Sequence, residues 1–197
     1  MELRERVLNL LERNPVDRAS FHEALWPETV ERWKKEGRFK SPEQSPSDLL
    51  AMEIEGSWPF NCIANLDFEK TVIEDNAETC LARDGNGALL RTWKNKSGTP
   101  EHVDFLVKDR AGWETHIKPF LKPERRRINF AAYREAKKQA AEKNKFFVWQ
   151  GVNVFEQMHP VCGHEYLLMG MALDPDWVRE MAQTYSDRGL ELAAYKK

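Results

Sequence analysis

The sequence predicts an α/β fold with an antiparallel hairpin region inserted between its helices, on three observations. Apolar residues recur at helical spacing in segments near both ends of the chain. Residues 146–150 form a continuous apolar run, typical of a strand that is buried on both faces of a parallel sheet. Residues 60–107 contain short β-rich runs around an Asp-Gly-Asn-Gly turn at 84–87, where glycine and asparagine tolerate positive φ.

The N-terminal segment predicts helices separated by one short strand. The first helix has apolar residues at helical spacing and stops before Pro15, since the residue preceding a proline avoids helical backbone angles. Residues 18–22 are predicted to form a strand. Pro27 suits the first position of the next helix, Gly37 ends it, and a further short helix is expected over 48–55.

The remaining segments alternate between the apolar pattern of strands and that of helices. Strands are predicted at 71–73, 79–81, 89–93 and 146–151. Helices are predicted after the cap Asp109, over 130–143, over 165–172 and over 176–194. Because helices separate residues 18–22 from residues 146–151, we expect these two strands to be parallel neighbours, with the hairpin region lying outside their sheet.

Composition limits the class of protein. The length of 197 residues allows one large domain or two small ones, and we predict a single domain over 1–197. The 30 Lys+Arg against 32 Asp+Glu argue against a protein whose main role is to bind nucleic acid. No apolar run is long enough to span a bilayer, so membrane insertion is not expected. The three cysteines, at positions 62, 80 and 162, are odd in number and lack CxxC spacing, which indicates a reducing, cytoplasmic location.

Polar side chains at the carboxyl ends of the predicted strands are the candidate site residues, because ligands of α/β sheets bind at these ends. The catalytic candidates are His22, Glu23 and Asp67. The candidate substrate contacts are Trp26, Asn153, Phe155 and Glu156. A carboxylate and an imidazole in one cleft could perform acid–base chemistry, whereas each residue alone is more typical of a helix end or a surface. We therefore predict one shared pocket where these residues converge.

No metal site is predicted in this chain. His159, Cys162 and His164 offer at most three ligands, and Pro160 interrupts their segment. A small buried thiol beside a helix start is the simpler interpretation of Cys162. A phosphate-binding glycine loop and a GxSxG nucleophile motif are both absent from the sequence.

Three segments carry a resemblance to a known family. They are residues 26–37 (WPETVERWKKEG), 98–105 (GTPEHVDF) and 167–177 (LLMGMALDPDW). Together they resemble the N-terminal part of proteins of the uroporphyrinogen decarboxylase superfamily, and more narrowly the decarboxylase-like branch related to corrinoid-dependent methyltransferases. The resemblance covers almost the whole chain.

The resemblance implies a (β/α)₈ TIM barrel, of which this chain would contain only the N-terminal strands and helices, with residues 60–107 as a β-rich insertion. Family decarboxylases carry an arginine-rich segment after the first strand and an aspartate near the end of the second. Here residues 21–25 contain no arginine and Asp67 matches the aspartate loosely, so the resemblance favours methyl transfer over uroporphyrinogen decarboxylation.

The same resemblance sets the expected cofactors and partners. Zinc and a corrinoid would be bound only with a C-terminal half that this chain lacks, so no cofactor is expected in the chain itself. A complete barrel would act on a small molecule or a corrinoid protein. The alternative is a non-catalytic fragment or subunit that associates, as a homo-oligomer or with a complementing C-terminal chain, to complete its barrel.

Overall fold

The computed structural model describes residues 1–151 and 154–195. In chain order its helices and strands are α1 (Leu3–Leu11), α2 (Pro27–Lys35), α3 (Pro46–Leu49), β1 (Ile54–Ser57), β2 (Thr71–Asp75), β3 (Thr79–Arg83), β4 (Ala88–Trp93), β5 (Glu101–Phe105), α4 (Arg110–His116), α5 (Phe130–Glu142), β6 (Phe146–Trp149), α6 (Val154–Leu173) and α7 (Pro175–Ala194). The chain divides into two compact units. In the described part of the chain, no helix combines the length and the apolar character needed to cross a membrane.

Unit 1 comprises Met1–Pro59 and Asn129–Gly151. Its two strands, β1 and β6, pair in parallel, with Ile54 opposite Phe146 and Ser57 opposite Trp149. Helix α5 immediately precedes β6 and packs against both strands, and α1 packs against β6. The predicted strand at 146–151 is therefore confirmed as a parallel strand over Phe146–Trp149, entered from a helix.

The partner of β6 differs from the prediction. Residues 18–22 form no strand, and β1 occupies part of the segment 48–55 that was predicted to be helical. The physical reason lies at Glu53. Its backbone N–H donates to the Phe21 carbonyl at 3.2 Å and its side-chain Oε2 accepts from the Phe21 N–H at 2.8 Å. The segment before His22 is held by these bonds beside the start of β1 and makes no ladder of its own.

Glu53 is fully buried and is compensated by two arginines. Arg6 of α1 pairs with Oε1, and the Arg18 guanidinium lies 2.6 Å from the same oxygen. Arg6 also holds Asp17 through two bonds of 2.6 and 2.8 Å. A buried carboxylate is tolerated only when it is paired and hydrogen-bonded, so this network requires α1, the segment 17–21 and β1 to meet.

Unit 2 comprises Phe60–Ile128 and Val152–Lys197. Its four strands form an antiparallel sheet in the order β2-β3-β4-β5, within the region predicted to be β-rich. The predicted hairpin turn is confirmed between β3 and β4, where Asp84 Oδ1 accepts from the N–H groups of Asn86 and Ala88, and Gly87 has φ +75°. Strand β5 was not predicted as a strand. Its first three residues are exposed, so this part of the strand has no buried face and leaves no clear apolar pattern in the sequence.

The core of unit 2 is built by α4, α6 and α7. Its large buried side chains are Trp113, Ile117, Met158, Val161, Leu167, Trp177, Met181 and Tyr185. The predicted cap Asp109 is confirmed, since its side chain accepts from the Gly112 N–H at 2.9 Å, and Asp174 caps α7 in the same way by accepting from the Trp177 N–H at 3.1 Å. The mixed α/β class is thus present, with one parallel and one antiparallel sheet, and the described strands form no closed barrel. The single domain over 1–197 stays a prediction.

Helix α6 is longer than the predicted helix over 165–172 and is kinked at its middle. Pro160 lies inside it, and Gly163 has φ 68° and ψ 169°, a backbone region that is essentially limited to glycine. A Cβ atom on Gly163 would lie 2.6 Å from Cε2 of Phe105. The kink and the close contact with β5 therefore both require glycine.

Replacing Glu53 should test the buried network. In Glu53→Gln, Arg6 and Arg18 face a neutral amide in a buried site, so we expect the free energy of unfolding to fall by about 3–5 kcal/mol. Urea unfolding followed by circular dichroism measures this. The matched control is Glu43→Gln, an exposed glutamate of the same unit, which should change stability by less than about 0.5 kcal/mol. Equal effects of the two substitutions would contradict the network.

Two glycine substitutions should have opposite effects in unit 2. Gly163→Ala must strain the backbone and displace Phe105, so we expect a loss of about 2 kcal/mol or more. Gly189→Ala lies in α7 with nothing within 4 Å of the added methyl group, so it should raise stability by about 0.5–1 kcal/mol. Thermal unfolding of both variants checks the signs, and a neutral Gly163→Ala would show that the kink is not required.

Candidate functional site

Unit 1 contains a cavity of about 430 Å³ that runs along β1. Its walls come from the loop before α2, from α2, α3, β1 and α5, and from the residue that follows β6. The polar side chains that line it are His22, Glu23, Ser45, Ser47, Glu55, Gln139, Lys143 and Gln150. Leu25, Val30, Met52 and Ile54 supply its apolar wall. A volume of this size and a mixed lining suit a small polar ligand.

A buried lysine stabilises one wall of this cavity. The side chain of Lys145 is only 3% exposed, and its Nζ donates to Ser47 Oγ at 2.7 Å and to Asp48 Oδ1 at 3.2 Å. Glu55 Oε2 lies 3.9 Å away. Lys143 donates to the other oxygen of Asp48 at 2.7 Å and, with Ser45 and Lys145, holds the pKa of that carboxyl well below its usual range. These groups are therefore a fixed set of paired charges.

Gly56 lets the Gln150 side chain lie against β1. A Cβ atom at position 56 would be 2.8 Å from Gln150 Oε1. The carboxamide can donate and accept hydrogen bonds, and it stands directly after the carboxyl end of β6. This is the position where a parallel sheet presents its ligand-binding groups.

His22 and Glu23 both lie in the wall of this cavity, and both are exposed. Glu23 Oε1 accepts from the Ala24 N–H at 2.9 Å, which orients the carboxylate. Trp26 begins α2 and is 60% exposed, and it is not among the residues that line this cavity.

Asp67 belongs to unit 2 and is engaged in an ion pair at the surface. Both of its carboxylate oxygens accept from Arg126, one of them at 2.6 Å. The Arg126 guanidinium lowers the pKa of Asp67. A carboxylate held in this way is a poor proton acceptor, so the geometry favours a structural role for Asp67.

Phe155 and Glu156 belong to a cluster of aromatic and imidazole rings in unit 2. Glu156 Oε2 lies 3.1 Å from His159 Nε2, and the rings of His159 and His164 stack with centroids 4.6 Å apart. Phe155 lies within about 6 Å of both rings. Burial, followed by the charges of His159 and His164, lowers the pKa of His102.

The predicted shared pocket combines residues of both units. His22, Glu23 and Trp26 belong to unit 1, whereas Asp67, Phe155 and Glu156 belong to unit 2. Asn153 lies outside the described residues. Convergence of all seven residues on one ligand therefore stays a prediction, and the unit 1 cavity accounts for two of them.

Cys162 is a core residue. Its thiol is completely buried and lies 3.5 Å from the Met158 carbonyl, and burial raises its pKa to about 12. The metal-binding form of cysteine is the thiolate, which this environment disfavours. Within residues 1–151 and 154–195, no three His, Cys, Asp or Glu side chains are grouped so that they could hold a metal ion.

Four buried cations were missed by sequence reasoning. Arg6, Arg127, Lys145 and Arg188 all have less than 5% of their surface exposed. Arg127 and Lys145 lie within or next to basic runs, which usually indicate solvated faces. Arg188 had a detectable signal, because it continues the apolar stripe of Trp177, Met181 and Tyr185 at helical spacing.

Comparison with known proteins adds no relative. No protein-family model, no curated protein and no solved structure matches the chain.

The three thiols should react at different rates with iodoacetamide near pH 8.5. We expect alkylation to be fastest at partly exposed Cys80, slower at Cys62, whose pKa is raised by burial, and slowest at Cys162. Because burial raises the pKa of Cys162 to about 12, its reactive thiolate fraction, and with it its labelling rate, should rise by about tenfold per pH unit between pH 8.5 and 10 without levelling off. Mass spectrometry of peptides gives the rates. Labelling of Cys162 as fast as Cys80 in the folded protein would contradict its burial.

Proposed function

We propose that this chain is a decarboxylase-like protein whose β1–α5–β6 unit forms the first parallel strands of a (β/α)₈ barrel, in the branch related to corrinoid-dependent methyltransferases. One observation carries the proposal: two parallel strands are joined by a crossover that includes α5, with a ligand-sized cavity along β1. A strand, a covering helix and a parallel strand make the repeating unit of such a barrel. The resemblance of residues 26–37, 98–105 and 167–177 supports the same assignment.

In this proposal the unit 1 cavity binds a small methyl donor. Lys143 and Glu55 provide charges of both signs, and Gln150 provides an amide, so a polar or zwitterionic molecule can be held. When a methyl group leaves a heteroatom of the donor, that atom gains negative charge. That atom must then take up a proton, and the exposed His22 side chain in the cavity wall is the candidate donor.

The corrinoid would supply the methyl acceptor. The described residues do not fit the family's zinc, since none of their His, Cys, Asp and Glu side chains form a group of three. No step through zinc follows from this chain. In this proposal zinc and the corrinoid would be held by another polypeptide segment.

A second candidate function is association, and one observation favours it. The parallel sheet has only the two strands β1 and β6 among residues 1–151 and 154–195. Two-stranded sheets are marginal by themselves, and an unpaired strand edge is a template for a further strand. The partner would be a second copy of the chain or a complementing chain that adds parallel strands.

A methyl-transfer assay tests the first candidate. The protein is mixed with cob(I)alamin and a panel of methanol, methylamines and methoxyarenes, and methylcobalamin formation is followed by absorbance. We expect turnover that falls by at least about 100-fold in His22→Ala. The exposed His116 is the matched control, and His116→Ala should retain full activity.

Sedimentation velocity at micromolar concentration separates the two candidates. Methylcobalamin formation that depends on His22 supports the enzyme. A discrete dimer without any turnover supports association, because the sheet is then completed without catalysis. A stable monomer with no turnover for any donor contradicts both.

A further inference from the structure

Unit 2 buries two guanidinium groups without a carboxylate partner. Arg127 is 1% exposed and Arg188 is 3% exposed. Among the described residues, the hydrogen bonds of both groups go only to neutral acceptors. Two buried positive charges of this kind are costly unless something compensates for them.

All three nitrogen atoms of the Arg127 guanidinium donate hydrogen bonds to backbone carbonyls. Its Nε donates to the Lys122 carbonyl at 2.7 Å, and its two Nη atoms donate to the carbonyls of Asn61, Ile63, Ala64 and Phe120. This explains why the residue is buried, since it joins two loops of the unit. Its charge nevertheless remains, because carbonyl dipoles are neutral groups.

Arg188 is only partly used. Its Nη2 donates to Gln157 Oε1 at 2.5 Å and to the Cys62 carbonyl at 3.4 Å. Its Nε and Nη1 are buried and have no hydrogen-bond partner among residues 1–151 and 154–195, and the same holds for the hydroxyl of Tyr185. The Arg188 guanidinium carbon lies 5.0 Å from the centre of the Tyr185 ring. Three buried polar atoms on Tyr185 and Arg188, which are one turn apart on α7, thus lack a hydrogen-bond partner among the described residues. Native protein interiors rarely contain such unsatisfied groups.

The positive charge of the buried guanidiniums indicates which kind of ligand would satisfy the free donors of Arg188 and Tyr185. A water molecule could accept hydrogen bonds from Arg188 and Tyr185, but it would bring no negative charge to Arg188, whereas Arg127 already interacts with the charges of Glu124 and Asp67. The two guanidiniums also act on each other, because Arg127 binds the Asn61 carbonyl and Arg188 the adjacent Cys62 carbonyl. An anion with several oxygen atoms would both accept these hydrogen bonds and compensate the positive charge.

We propose that Arg188 and Tyr185 form a binding site for an oxyanion, the phosphate or carboxylate group of a ligand, in unit 2. Arg127 contributes its charge at longer range and positions the loop that carries Cys62. Burial lowers the pKa of both arginines, which is the direction expected where a compensating anion is missing. The site shares no residue with the unit 1 cavity, so it does not rest on the function proposed above.

Thermal unfolding with added anions tests the site. Sodium phosphate and sodium acetate are compared with sodium chloride at equal ionic strength, which separates the two oxyanion classes from a salt effect. We expect a saturable rise in Tm with at least one oxyanion and none with chloride. In Arg188→Met the apparent Kd should rise by about tenfold or more, and in Tyr185→Phe by several-fold.

Arg179→Met is the matched control, because Arg179 lies on the same helix with a side chain that is 72% exposed and pairs with Asp176. It should retain the response of the natural sequence. If Arg188→Met does not fold, Tyr185→Phe and the shift of the Arg188 Nε–H resonance in the natural protein on phosphate addition provide the readout. The proposal is overturned if neither oxyanion gives a saturable response, or if Arg188→Met and Tyr185→Phe respond like Arg179→Met.

Discussion

The buried carboxylate of Glu53 organises unit 1. Because an ionised carboxylate cannot be buried alone, the chain must bring Arg6 and Arg18 to it, and the Phe21 N–H completes its set of donors. Helix α1, the extended segment before α2 and the start of β1 are thereby joined at one point. The cavity depends on the same point, since anchoring Phe21 places the next two residues, His22 and Glu23, in its wall.

Unit 2 buries positive charge, whereas the buried group that organises unit 1 is negative. Its interior contains guanidiniums in place of a carboxylate, and Arg127 is satisfied by backbone carbonyls alone. Such an arrangement stabilises loops that have no regular structure, because one side chain binds carbonyls from two separate segments. Arg188 lacks an equivalent set of acceptors. The difference between these two arginines distinguishes a structural group from one that is available to a ligand.

Local signals explain what could be predicted from the sequence. Caps and turns such as Asp109, Asp174 and residues 84–87 act within four residues, so their chemistry determines the local structure directly. Strand β1 could not be found in this way, because it is four residues long, contains Gly56 and is defined by a partner far along the chain. The candidate site was predictable only where a residue follows an anchored segment, as His22 does, while the pairing of Asp67 with Arg126 depends on tertiary contacts.

The pairing of β1 with β6 has a consequence for synthesis on the ribosome. Ile54 and Phe146 are about 90 residues apart in the chain, and the whole antiparallel sheet is encoded between them. Each neighbouring pair of strands in that sheet is close in sequence, so the sheet closes short loops and can form while the chain is still emerging. Strand β1 must wait, with its backbone unpaired, until β6 has left the exit tunnel. Nascent chains that stall within this interval would expose β1 to chaperones or to neighbouring chains. Unit 1 is therefore protected from aggregation through this strand only after β6 has been translated.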